Sequence, residues 1–169
     1  SKEDYLFLDK HEKNFASKTA DRILKFMSGL TETLEGYQIT RLEHSLQSAT
    51  RAYRNGESDE MIVAALLHDI GDELAPMNHS EYAAAVLKPF VSEENHWMVA
   101  HHDVFQGYYF WHHLGGNRYA RDAFEGHEFY DHCEEFCRLY DAPALDSSYD
   151  SNPLEHYFPL INEFFTKNP

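Results

Sequence analysis

Residues 61–67 constrain the fold more than any other stretch, because as a helix they would be apolar almost all round. A helix of this kind must be buried on every side. Ser58 followed by Asp59 and Glu60 is a typical helix start, with an N-cap and two carboxylates at the positive end of the dipole. Gly71 marks the helix end. The other elements must therefore surround this central helix.

The rest of the chain also has helical spacing, with apolar residues three and four positions apart and no sustained strand alternation. A chain of 169 residues is the usual size of one domain. We therefore predict a single all-α domain of about seven helices. They are expected at residues 15–30, 40–55, 58–71, 78–87, 92–102, 129–140 and 153–165, with an aromatic, turn-like segment at 105–116.

Charge and composition disfavour several classes of partner. The net charge is −15, which repels nucleic-acid phosphates and anionic lipids. No apolar run approaches the roughly 18–20 residues that cross a membrane. Cys133 and Cys137 lie one helical turn apart and are expected to share a buried face rather than a disulfide. We therefore expect a cytoplasmic protein with no nucleic-acid or membrane partner.

Histidine is unusually abundant, with 12 residues, and it is the commonest metal ligand in proteins. The pair His68-Asp69 directly follows the apolar stretch, where ionisable groups need partners. Adjacent helical residues point about 100° apart. The pair therefore suits an imidazole on one ion and a carboxylate that leans toward a second ion, as in two-metal sites.

Four further residues stand where a fold could bring them to the same place: His44, His79, His102 and Asp141. Together with His68 and Asp69 they supply three protein ligands per ion in one sharing scheme, with positions left open for substrate, water or dioxygen. Imidazole with carboxylate suits iron, manganese or zinc. His101 beside His102 leaves the register of that segment open, although we favour His102.

These six residues match, in order, the H…HD…H…H…D pattern of the dinuclear members of the HD-domain superfamily. The chain most closely resembles the mixed-valence diiron oxygenases of that superfamily, which include hydroxyphosphonate dioxygenases and myo-inositol oxygenase. Residues 42–47 and 64–71 carry the resemblance locally. It implies an HD-type bundle spanning residues 1–169. The metal-site core would lie at about 36–141, with the N-terminal and C-terminal helices packed on it.

The resemblance also implies a reaction. A mixed-valence Fe(II)/Fe(III) pair would use dioxygen to cleave a bond next to a hydroxylated carbon of a small polar substrate, with manganese, magnesium or zinc as alternative metals. Asp69 would be catalytic as the shared ligand. Tyr37, together with Glu35, would correspond to the lid residues of the family, although in reversed order.

The substrate-binding positions depart from the family pattern. Asp72 and Gln106 stand where relatives place, respectively, a substrate-contacting residue and a lysine that holds an anionic group. Both changes lower the positive charge beside the pocket, which favours a substrate with less need for a cationic clamp than a phosphonate has. An ammonium group could pair with Asp72. The alternative is that Asp72 only orients a ligand histidine.

Other side chains could also line the pocket. Arg138, one helical turn before Asp141, is predicted to reach the metal site and could hold a carboxylate or phosphonate. Tyr108 could wall the pocket or simply cap the core. Arg118 and Arg121 are expected to form ordinary surface or structural ion pairs.

Two functions besides the oxygenase remain open. A metal-dependent phosphohydrolase would use the ions to activate water against a phosphate ester. Such an enzyme needs cations around the phosphate, and Asp72 stands where many relatives carry lysine. The third possibility is a catalytically silent metal-binding or ligand-sensing domain.

Overall fold

The computed structural model of the protein describes residues 1–32 and 35–166, and all regular structure in these ranges is helical. The all-α prediction is confirmed. The helices are α1 (Lys2–Ala16), α2 (Thr19–Ser28), α3 (Arg41–Arg54), α4 (Asp59–Leu67), α5 (His79–Leu87), α6 (Glu93–Phe110), α7 (Tyr130–Phe136) and α8 (Phe158–Thr166). Three short 3-10 segments lie at Trp111–Leu114, Ala120–Phe124 and Leu154–Tyr157. Within these described ranges, no helix has the length and apolar character to span a bilayer.

Helix α4 is the centre of the core, as its composition predicts. Every residue from Met61 to Leu67 is buried, and α3, α6 and α8 pack around the helix. Ser58 caps its first turn by accepting a hydrogen bond from the backbone nitrogen of Met61. Each large apolar side chain buried in this way stabilises the fold by about 1.5–3 kcal/mol. The buried helix therefore holds the residues that follow Leu67, His68 and Asp69, in a fixed position.

The N-terminal stripe predicted at 15–30 is wrong as a single helix. Helix α1 ends at Ala16 and α2 begins at Thr19, which makes eight α-helices in the described residues rather than about seven. Helix α1 buries no residue and is held at its start by a reciprocal cap between Ser1 and Asp4. Only α2 packs on the core, against α8, because Ile23 and Met27 give it an apolar face.

Helix α6 does not end at His102, as the sequence predicted, but continues for two more turns to Phe110. The aromatic residues after His102 are helical because Phe105 packs into the core and the chain at Gly107 lies against Trp111. A Cβ at Gly107 would lie 2.4 Å from the Trp111 ring. Tyr108 is therefore part of a helix and not of a loop.

A π-helical turn, Cys137–Asp141, follows α7 where regular helical spacing was predicted. The backbone nitrogen of Ala142 donates to the Cys137 carbonyl oxygen, five residues earlier, at 2.8 Å. The wider turn buries both Tyr140 and Asp141, which are adjacent in sequence. Such turns are frequent at functional sites. Cys133 and Cys137 are buried and unbridged, as predicted.

Candidate metal centre

Five elements meet at one point beside the end of α4, and together they carry all six predicted ligands. His68 terminates α4 and Asp69 follows it, while the others come from separate helices. His44 lies on α3, His79 begins α5, His102 lies in the middle of α6, and Asp141 ends the π-helical turn. The described structure therefore brings together residues that are as much as 97 positions apart in the chain.

The carboxylate of Asp69 divides its two oxygens between two pairs of histidines. Its Oδ2 lies 3.2 Å from His44 Nε2 and 3.3 Å from His68 Nε2. Its Oδ1 lies 3.3 Å from His79 Nε2 and 3.0 Å from His102 Nε2. This arrangement suits a carboxylate shared between two cations.

Asp141 belongs to only one side of the centre. Its Oδ1 lies 3.1 Å from His44 Nε2 and 3.4 Å from His68 Nε2. The donor atoms consequently form two groups, and within each group all of them lie within 4.8 Å of one another. The first group is His44, His68, Asp69 and Asp141, and the second is Asp69, His79 and His102. We call these the inner and the outer group.

The tautomers of three histidines are fixed by backbone carbonyl oxygens. The Nδ1 atoms of His44, His68 and His102 lie 2.9, 2.7 and 2.7 Å from such oxygens. A carbonyl oxygen only accepts, so each Nδ1–H donates, and a neutral imidazole then presents a bare Nε2 to the centre. The Nε2 atoms of His44 and His68 are 3.2 Å apart. The nitrogen lone pairs face one another and also face carboxylate oxygens, and at this distance they repel unless a cation lies between them. The donor set therefore fits metal ions.

The pKa values of the inner group also show that the centre favours bound positive charge. Burial alone would lower the pKa of His44, but the hydrogen bonds and charges of Asp141 and Asp69 raise it to about 10. The pKa of His68 is likewise raised. Burial favours the neutral carboxyl forms, yet the neighbouring histidines hold the pKa values of Asp69 and Asp141 well below the usual range. In metal-free protein, bound protons supply the positive charge of the centre. Divalent cations displace these protons when they bind.

The outer group is the accessible side of the centre. The side chain of His68 is fully buried and that of Asp141 is 4% exposed, whereas that of His79 is 23% exposed. Asp72 lies beside this opening, with Oδ1 3.6 Å from His79 Nδ1. Its other oxygen lies 3.5 Å from Arg41 Nε. The centre is therefore more open to solvent at His79 than at His68 or Asp141.

Arg41 is a site residue that the sequence interpretation missed. It stands one helical turn before His44, which is the signal that could have revealed it. Because its guanidinium faces Asp72, that carboxylate has a cationic neighbour from the protein itself. Burial and the charge of Asp69 raise the pKa of Asp72. These contacts favour an orienting role for Asp72 over the pairing with a substrate ammonium group.

Comparison with known proteins places this centre in a family. Residues 41–142 match the sequence profile of the HD domain. The chain belongs to the HD-domain family. It is also similar to a [1-hydroxy-2-(trimethylamino)ethyl]phosphonate dioxygenase (glycine-betaine-forming) of Leisingera caerulea, with 38% identity over 40% of this chain and 43% of the relative. The chain thus spans less than half of the length of this relative, and the similarity agrees with the predicted resemblance to the diiron oxygenase branch.

In this HD domain, His101 lies outside both groups of candidate donors. Its Nδ1 donates to the carbonyl oxygen of Trp97 at 2.8 Å, and its ring stacks on the Trp97 ring at 4.0 Å between centroids. His102, by contrast, is 2% exposed and faces Asp69. The geometry therefore favours the register in which His102 is the ligand.

The residues predicted to contact substrate are dispersed over this HD domain. Arg138 does not extend to Asp141, because its Nε donates to Glu134 at 3.2 Å, one turn earlier on the protein surface. Gln106, one turn beyond His102, has a buried Oε1 with no hydrogen-bond partner in the described structure. Tyr37 is 56% exposed on the segment before α3.

Proposed function

We propose that this protein is a dinuclear iron oxygenase that cleaves a bond next to a hydroxylated carbon of a small polar substrate. The observation that carries the proposal is the division of the Asp69 oxygens between two pairs of histidine nitrogens. A family match to the HD domain and the similarity to a dioxygenase support it.

The residues of the chain have separate tasks in this proposal. His44, His68 and Asp141 would hold one iron in a nearly solvent-free position, and His79 and His102 would hold the second at the accessible side. Asp69 would keep the two ions at a fixed distance. With Asp69 counted for both ions, the inner ion would have four protein ligands and the outer ion three, so coordination positions remain for exogenous groups. When bound, the iron pair would supply the redox chemistry with dioxygen.

The accessible side of the centre would receive the substrate hydroxyl. The relative named above acts on a molecule that carries a hydroxyl, a phosphonate and a trimethylamino group. We infer a substrate of the same general kind, small and hydroxylated. Tyr37 would close over this opening as part of a lid, and Gln106 would offer its amide to the substrate from the next turn of α6.

The experiment starts with protein purified from cells grown with added iron. We expect two iron ions per chain and, after partial oxidation, an EPR signal of a spin-coupled Fe(II)/Fe(III) pair. We also expect oxygen consumption with members of a panel of small 1-hydroxyphosphonates and hydroxy acids. The Asp69→Ala variant is the inactive control, and it should consume no oxygen with any of these compounds.

A phosphohydrolase gives a different set of results. It would cleave phosphate esters with magnesium, manganese or zinc, without oxygen consumption and without a mixed-valence signal. Hydrolysis of a phosphate ester by wild-type protein that shows no oxygenase activity with the whole panel would overturn the proposal.

A further inference from the structure

The residues from 104 to 121 form the longest stretch of this chain without an aspartate or a glutamate. The chain contains 29 such residues, so 18 consecutive positions without one mark a local change of charge. The stretch covers the end of α6 and the segment that follows, and it carries two arginines, Arg118 and Arg121. An acidic protein thus has a segment after α6 whose formal charge is positive.

The two arginines converge on one aromatic ring. The guanidinium carbon of Arg118 lies 4.1 Å from the centre of the Tyr108 ring, and that of Arg121 lies 3.7 Å from it. The two cationic groups are therefore at most about 8 Å apart, and their mutual repulsion is unfavourable. The face of Tyr108 attracts each of them, but an aromatic ring carries no net charge to neutralise them.

These guanidinium groups also have unmet hydrogen-bond donors. The Nε of Arg118 and both the Nε and Nη1 of Arg121 are buried without a hydrogen-bond partner among the described residues. Buried donors of this kind are costly when they are left unpaired. Asp122, Glu125 and Glu134 lie in the same area as Arg121, near Tyr130, but among the described residues none of them forms an ion pair with either arginine, and Glu134 is bound by Arg138. The expectation that Arg118 and Arg121 form ordinary ion pairs is therefore wrong for the described structure.

We propose that Arg118, Arg121 and Tyr108 form a binding site for an oxyanion of the phosphate or phosphonate type. A tetrahedral oxyanion has several acceptor oxygens, which can take hydrogen bonds from the free N–H groups of both arginines at once. Its negative charge also removes the repulsion between the two cations. The ring of Tyr108 holds the guanidinium planes in place before the anion binds.

The site has a defined position relative to the metal centre. Tyr108 follows His102 by six residues on the same helix, which places it about 9 Å further along the axis of α6. The oxyanion could be the anionic end of the substrate, which rests on the proposed function, or a separate phosphate ion.

Calorimetric titration of metal-free protein with inorganic phosphate and with methylphosphonate tests the site without any catalytic activity. We expect both anions to bind wild-type protein and to bind Arg118→Gln and Arg121→Gln about 10- to 100-fold more weakly, the usual effect of losing a charge-assisted hydrogen bond. Arg138→Gln is the matched control, because it removes one positive charge from a guanidinium that already has a partner. It should bind both anions as wild type does.

Thermal unfolding of each variant shows whether it folds, and Arg121→Lys provides a second test. Lysine keeps the charge but loses the planar fork, so its affinity should fall between those of wild type and Arg121→Gln. Equal affinity in all variants, or no binding to wild type at millimolar concentration, overturns the proposal.

The two possible sources of the anion predict different effects on KM. If the substrate supplies it, phosphate competes with a hydroxyphosphonate, and Arg121→Gln raises KM for that substrate but not for an uncharged hydroxylated one. If a separate ion supplies it, phosphate binds without changing KM. Anion binding that depends on Arg118 and Arg121 in a protein without oxygenase activity would support this site while contradicting the proposed function.

Discussion

Gly71 lies directly against the backbone of His79. A Cβ at Gly71 would be 2.6 Å from the His79 carbonyl oxygen and 2.9 Å from the Cβ of Tyr82. The turn after α4 and the first turn of α5 therefore approach more closely than any residue with a side chain allows. This close approach sets His79 Nε2 at 3.3 Å from Asp69 and so completes the outer group.

Substitution of Gly71 should consequently affect one ion only. We expect Gly71→Ala to displace the start of α5 and to lower the metal content from two ions per chain toward one, as measured by elemental analysis after dialysis. Gly29→Ala is the matched control, because its Cβ would meet nothing closer than 3.3 Å. Retention of both ions by Gly71→Ala would show that His79 is not needed for the second ion.

Asp69 should be the residue whose loss removes both ions. Asp69→Ala deletes the carboxylate that faces both groups of donors, so each ion loses a ligand and the compensating charge. Metal content near zero is expected after dialysis. Asp103→Ala serves as the control, because that carboxylate accepts a hydrogen bond from the adjacent backbone nitrogen of Val104 and faces no ligand histidine. An Asp69→Ala protein that still holds one ion tightly would argue against sharing.

Adjacent histidines on α6 provide a sharp comparison. His102→Ala should lose the ion of the outer group, since it removes a buried Nε2 at 3.0 Å from Asp69. His101→Ala removes only a ring that stacks on Trp97 and should keep the full metal content. The reverse result would mean that the register of this segment is shifted by one residue.

Asp72 is expected to act through His79. Its carboxylate faces His79 Nδ1, so Asp72→Asn should weaken the ion of the outer group by about 10- to 100-fold, the usual effect of losing such a partner. Competition with a metal chelator measures this affinity. Glu73→Gln, an exposed neighbour, is the control. If Asp72→Asn binds metal normally but loses affinity only for ammonium-bearing substrates, the contact with substrate is the correct role.

Metal-free protein should lose stability as the pH rises. The folded-state pKa of His44 is raised from its usual 6.5 to about 10, so the folded state binds more protons than the unfolded chain in this range. The stabilisation is complete below pH 6.5 and is lost as the pH rises toward 10, at about 1.4 kcal/mol for each unit of pKa difference.

Urea unfolding of chelator-treated protein at pH 6.5 and pH 9.5 measures this loss, and metal-loaded protein is the control. The lowered pKa of Asp141 acts in the opposite direction, with stability lost in acid below its usual value of 3.8. An unfolding free energy that rises between pH 6.5 and 9.5 would contradict the assignment of protons to the metal-free centre.

The local pattern of the sequence determined the helical fold and the burial of α4, because both depend on periodicity along one helix, which neighbouring positions encode. The six candidate donors were predicted instead from their order along the chain, which resembles the pattern of the HD-domain superfamily. The same local pattern failed for α1, which buries no residue in the core, and at Asp141, where the helical turn widens.

Only the tertiary structure decided how the donors are grouped. Asp69 offers one oxygen to the helices of His44 and His68 and the other to those of His79 and His102, which depends on the relative rotation of four helices. Contacts such as His44 with the carbonyl oxygen of residue 144, 100 positions away, fix that rotation. The convergence of Arg118 and Arg121 on Tyr108 was likewise hidden, because periodicity assigns a residue to a face but does not say which distant side chain packs there.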